Sequence, residues 1–274
     1  MYVRATLSIC LALVAQSRNP STSTADVIEA ATSYVAKYEQ QLTSVVAMEV
    51  STQRVLRRVP AEADATATRA LTSEMFFIFS PAEHEWMAVR DVHEVDGKPV
   101  ENPPDLQKTM MAGPLLQGAR ALKNYSSRYN LGSIVRNFGE PTLSLLVLDA
   151  NHRSNFTFAR TTTERKSGVT LVTVYFREHG TATLIHDISG APVLSQGELV
   201  IEAGAGRIRH AVLKAQMGGI WAELTTTYQP DAKLDMWVPS SFSEQYDDDR
   251  RVESIRCEAT YSNFRRFEAF GRIK

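Results

Sequence analysis

The residues able to do chemistry are scattered along this chain rather than grouped. Six histidines are present (His84, His93, His152, His179, His186 and His210), none spaced from another histidine or a cysteine as metal ligands are. Neither HExxH nor CxxC occurs. The densest cluster is Asp91, His93, Glu94 and Asp96. Alternation along a strand places Asp91 and His93 on one face, the minimum for an acid–base pair or a weak metal site, although a solvated strand end has the same composition. No GxSxG elbow presents a nucleophilic serine, so a hydrolase would need Ser, His and Asp brought together from distant segments. The glycines form no GxxxxGK[ST], and Gly204-Ala205-Gly206 separates two strand-like runs, which makes it a tight turn instead of a phosphate cradle. No catalytic residue, metal ligand or cofactor site is assigned on these grounds.

Binding is served by a different set. Trp86, Tyr175, Phe176, Trp221 and Trp237 are large aromatic residues in strand-like runs, where they could line an apolar ligand cavity. Packing between layers is the ordinary use of aromatic residues on strands and competes with that assignment.

Thirty basic residues against thirty-one acidic ones leave a formal charge of −1. The short pairs Arg57-Arg58, Arg250-Arg251 and Arg265-Arg266 do not make the clustered basic surface that a nucleic acid requires, so DNA and RNA are excluded as expected partners. With 43% hydrophobic and 22% charged residues the 274-residue chain has the material for a core, and one domain over residues 18–274 is expected. The start, MYVRATLSICLALVAQS, has Arg4 ahead of an apolar run from Ala5 to Ala15 and small residues at Ala15 and Ser17. It reads as a signal peptide over residues 1–17 and predicts a periplasmic or secreted protein. The run is shorter than the roughly 20 residues that span a bilayer, and none of that length follows. Removal of the leader takes Cys10 with it, leaving Cys257 as a buried free thiol with no disulfide partner.

The elements that must position these residues are mostly strands. Ser23 or Thr24 caps a helix with Asp26 and Glu29 in its first turn and Ile28, Ala31, Val35, Tyr38 and Leu42 along one stripe. Alternation follows, Val46, Met48 and Val50 against Ala47, Glu49 and Ser51. The runs 70–79 and 85–95 form a meander ending in the turn signal Asp96-Gly97. Leu115, Ala119, Leu122, Tyr125 and Tyr129 keep helical spacing up to Gly132, and Pro141 opens an apolar segment to Leu148 that favours about two helical turns. Eight strand runs come after Phe156: 156–161, 169–178, 181–187, 197–203, 207–217, 220–228, 236–246 and 255–264. Without helices between them they argue for an antiparallel sheet. In the last, Ile255, Cys257, Ala259 and Tyr261 face one way and Arg256, Glu258, Thr260 and Ser262 the other. Asp247-Asp248-Asp249-Arg250-Arg251 is placed in a hairpin loop in solvent. The expected fold class is α+β: a large curved antiparallel sheet, an unclosed barrel, with two or three helices on its concave face.

Four segments carry a resemblance: FIFSPAEHEWMAVRDVHEVDGKPV (77–100), GELVIEAGAGRIR (197–209), Trp237-Val238-Pro239 and the closing YSNFRRF (261–267). Together they resemble a set of uncharacterised exported bacterial proteins. The order of elements is distantly similar to the periplasmic lipoprotein-carrier (LolA/LolB-like) half-barrel fold. That resemblance implies an apolar interior able to hold acyl chains, with a lipid or lipoprotein as partner. It transfers no site residue, and fold alone does not fix function. Two other readings stay open: a structural or envelope-sensing module whose barrel is plugged, and a periplasmic hydrolase.

Overall fold

The computed structural model describes residues 23–43, 45–57, 65–80, 85–136 and 139–266. The segment 1–17, expected to be a signal peptide, lies outside them, as does His84.

The strands are β1 (Val45–Arg57), β2 (Ala65–Ser80), β3 (Glu85–Val95), β4 (Lys98–Pro99), β5 (Phe156–Lys166), β6 (Val169–Glu178), β7 (Ile185–His186), β8 (Pro192–Val193), β9 (Ser195–Glu202), β10 (Ile208–Met217), β11 (Ile220–Asp231), β12 (Met236–Asp248) and β13 (Glu253–Arg266). Eleven of them form one sheet in the order β4-β3-β2-β1-β13-β12-β11-β10-β9-β6-β5, in which every recorded neighbour pair is antiparallel. β4 and β5 are its two edges, so the sheet is not closed. The chain's late strand β13 inserts beside β1, pairing Val45 with Arg266 and Arg57 with Glu253. The expected strand at 181–187 shrinks to Ile185–His186, which pairs with β8 in a separate two-stranded ribbon. Gly180 at φ 86° breaks the run before it can join the sheet.

Helix α1 (Thr24–Leu42) begins at a complete capping box: Ser23 accepts from the Asp26 amide while Asp26 accepts from the Ser23 amide and hydroxyl. Its stripe of Val27, Ile28, Ala31, Val35, Tyr38 and Leu42 is buried in a large cluster with Val45, Ala47, Met75 and Phe77 and with the inward residues of β6 and β9–β13. Gly206 (φ 69°) lets the β9–β10 turn approach α1; a Cβ there would collide with the Ala30 carbonyl. The segment after Pro141 forms a 3₁₀ helix, Leu143–Leu148, all six residues of which are buried.

Helices α2 (Leu106–Met111) and α3 (Leu115–Ser126) serve a second, smaller cluster. Val46, Phe76 and Val89 lie opposite one another across β1, β2 and β3 and pack with Ala119 and Leu122, whereas their neighbours Val45, Phe77 and Ala88 belong to the large cluster. Alternate residues of these three strands therefore face different helices, because strand side chains alternate between the two faces. The expected gathering of all helices on one face is not what these contacts describe.

Candidate functional site

The inner face of β1 is the polar one. Glu49, Ser51 and Gln53 are buried, while Val50 is 53% exposed. Glu49 accepts a bidentate pair from Arg90 (Nε at 2.6 Å, Nη2 at 3.1 Å) and a third bond from the Tyr261 hydroxyl at 3.0 Å. Nearby, Tyr246 donates to Glu244 at 2.7 Å, and Arg136 donates to the Cys257 sulfur at 2.6 Å and to Gln53 at 2.9 Å. Lys123 on α3 pairs with Glu140. The cavity these groups border holds only about 50 Å³, room for water and not for a substrate. Burial, and then the Glu244 charge, push the Cys257 thiol up to about 12, so it carries no thiolate at neutral pH and is the buried free thiol anticipated. This network has the chemistry of a structural brace. Glu49 with Arg90 and Lys123 with Glu140 form ion pairs, while Arg136 and Glu244 are hydrogen-bonded to neutral groups.

The Asp91/His93 pair forms at 3.5 Å on β3, with burial holding the Asp91 carboxyl above its usual range. No third acidic, histidine or cysteine ligand joins it among the described residues.

Two larger clefts lie at opposite ends of the sheet. One, of about 480 Å³, runs between α1 and the β11–β12 turn and is lined by Tyr34, Gln41, Arg207, Asp231, Asp235 and Trp237, among others. The other, of about 450 Å³, opens where residues 133–135 meet the β10–β11 and β12–β13 turns. Its apolar lining is Ile134, Val135, Ile188, Met217 and Ile220, with Arg250 and Arg251 at the mouth. Ile134 belongs to the large core cluster and Met217 and Ile220 pack against it, so the floor of this cleft is the core itself. Val135 and Ile188 are 63% and 85% exposed.

Of the sequence-predicted cavity residues, the four whose side chains are described, Tyr175, Phe176, Trp221 and Trp237, are not brought together. Phe176 is fully buried in the core, and Gly197 makes room for its ring. Tyr175 stands on the opposite face of β6 and donates to Gln196 at 2.7 Å. Trp221 is 36% exposed on β11, where its neighbour Ala222 takes the inward place. Trp237 lines the 480 Å³ cleft with Arg209 stacked 3.8 Å from its ring centre. Trp86 falls on β3, its side chain outside the described residues. The apolar cleft at the other end went unread, although an isoleucine at the tip of a turn (Ile188, within His186-Asp-Ile-Ser-Gly190) and paired arginines in a hairpin loop were both visible in the sequence.

Neither family models nor curated proteins match the chain. Among solved structures it is similar to a DUF1329 family protein from Desulfovibrio piger (TM-score 0.41, 9% identity, covering 90% of this chain and 95% of that one). A putative outer membrane lipoprotein-sorting protein domain from Vibrio parahaemolyticus gives a TM-score of 0.33 at 9% identity, covering 87% and 93%. A LolA superfamily protein from Nitrosomonas europaea gives 0.30 at 11% identity, covering 86% and 94%. No helix among the described residues is long and apolar enough to cross a membrane.

Proposed function

We propose that this chain is an exported, non-catalytic binding protein for a lipid, acyl chain or lipoprotein, built as a single half-barrel domain over residues 18–274 after loss of a leader at 1–17. The observation that carries the reading is the 450 Å³ cleft, whose exposed apolar lining is continuous with the core of an unclosed sheet. Its size and its mixture of apolar wall with a few polar groups suit a small ligand, for which pockets run to about 300–1,000 Å³. The space differs from the one first expected. α1 and the 3₁₀ helix Leu143–Leu148 fill the inner face, so the ligand enters at the end of the sheet and not in an open barrel interior.

That same filling favours a second reading, a plugged interaction module that engages a protein partner. One experiment separates them: native mass spectrometry of the exported protein before and after mild organic extraction, joined to titration with a fluorescent fatty acid. An extractable lipid mass or saturable probe binding is the expected result. A bare polypeptide mass with no probe binding would sink the lipid reading and leave the plugged module.

A further inference from the structure

We infer that the 450 Å³ cleft takes a single-chain anionic amphiphile of the fatty-acid type, its carboxylate on Arg250 and its chain along Val135, Ile188, Met217 and Ile220; this rests on the lipid-binding reading above and adds the head-group chemistry and the place.

Charge at the mouth carries the inference. Four lining residues are ionisable: Asp187, Asp248, Arg250 and Arg251. Asp187 is spent on its own turn, accepting from the Ser189 amide at 2.8 Å, the Ser189 hydroxyl at 2.6 Å and the Ala191 amide at 2.9 Å. Those donors hold its carboxyl below the usual range, so it stays ionised and satisfied. Asp248, buried, accepts from the Arg250 and Arg251 amides at 2.9 and 3.2 Å and sits 3.8 Å from the Arg251 guanidinium. Arg251 also donates to the Ser133 carbonyl at 3.3 Å. The guanidinium of Arg250 has no acceptor among the described residues. It lies over Gly218-Gly219, where a Cβ on either glycine would come within 2.6 Å of a guanidinium nitrogen. The two glycines let a permanently charged, planar donor lie close to the backbone at the rim of an apolar slot.

A carboxylate suits this donor set because a guanidinium offers two parallel N–H groups to two oxygens. The 450 Å³ volume lies in the lower part of the small-molecule range and matches one chain better than the two of a phospholipid. Burying an acyl chain there also covers the exposed Val135 and Ile188, which gains about 25 cal/mol for each Å² removed from water.

The test is fluorescence titration of the full chain with cis-parinaric acid and with its uncharged methyl ester, on the wild type and on Arg250→Gln, Ile220→Asp and Trp237→Ala. The expected wild type prefers the acid to the ester by about tenfold, the value of one charge-assisted hydrogen bond. Arg250→Gln should erase that preference while leaving ester affinity unchanged, and Ile220→Asp should weaken both probes. Trp237→Ala, in the far cleft, should change neither. Equal affinities for acid and ester, or a preference untouched by Arg250→Gln, would overturn the head-group assignment while the lipid reading survives. Loss of binding in Trp237→Ala but not Ile220→Asp would move the site to the other cleft. If neither probe binds the wild type, the lipid reading falls with it. Preference for anionic phospholipid vesicles over the free acid would overturn the single-chain assignment.

Discussion

At the scale of residues, Glu49 and Glu39 show two ways in which a buried carboxyl is accommodated among the described residues. Glu49 is fully buried and takes three hydrogen bonds, so its stability depends on Arg90 remaining. Arg90→Met should destabilise the protein at neutral pH by about 3–5 kcal/mol, because an uncompensated buried carboxylate is what remains. Adding Glu49→Leu should restore much of the loss; urea denaturation of the single and double variants measures both, and a single-variant cost below 1 kcal/mol would mean that water already reaches the pair. Glu39, near the end of α1, is the contrasting case. It is 6% exposed and one carboxyl oxygen is buried without a hydrogen-bond partner among the described residues. Burial first, then the Asp149 charge, push its pKa up to about 7 from an ordinary 4.5. The folded state thus binds this proton more tightly than the unfolded chain, and stability from this group is present below about pH 4.5 and lost as pH rises to about 7. Glu39→Gln should flatten that part of the stability–pH curve and leave the variant more stable than wild type at pH 8. A curve of unchanged slope between pH 5 and 7 would show that Glu39 is hydrated.

At the scale of elements, local pattern and tertiary demand agree in most places. The capping box, the α1 stripe and the Asp96-Gly97 turn, whose two residues both take positive φ (52° and 74°), were legible because each is decided within a few residues. The β6 bounds of 169–178 and the start of β11 and β12 follow for the same reason. β1 was harder. Its alternation was visible, but Val46, Met48 and Val50 look like the core side, whereas Ala47, Glu49, Ser51 and Gln53 are the residues turned onto the inner face. A polar brace supplied by β3 and β13 makes the polar side the buried one, and no local signal announces partners more than forty residues away. The three aspartates after Gln245 also part company: Asp247 pairs with Arg256, Asp248 is buried as the cap of the hairpin, and Asp249 is exposed. The seat of α1 offers a clean comparison. Gly204→Ala and Gly206→Ala both introduce a Cβ at positive φ, but only the second meets another element, the Ala30 carbonyl. Gly204→Ala should cost about 1 kcal/mol and Gly206→Ala at least about 2–3 kcal/mol, read from denaturation midpoints. Equal losses would mean that α1 yields at this contact.

At the scale of the molecule, the defining feature is that late β13 completes the middle of the sheet, between early β1 and β12. Truncation after Val252 should therefore abolish cooperative unfolding instead of fraying an edge, since it strips hydrogen-bond partners from two interior strands. A truncated chain that kept a sharp urea transition would show that β1–β3 and β5–β12 fold as separate units. Closing a contact as distant as Val45 with Arg266 also makes folding slow relative to helical proteins of this size. The sequence by itself determined an antiparallel, strand-rich class, the two main amphipathic helices, the near-neutral charge and the free thiol, because periodicity, capping and composition are local or additive properties. Tertiary structure alone decided that β13 joins β1, that Tyr175, Phe176, Trp221 and Trp237 part company, and that Ile134, Val135, Ile188, Met217, Ile220 and Arg250 share one cleft. Those residues come from four separate loops and strand ends, and only the register of an eleven-stranded sheet brings such distant turns to the same end.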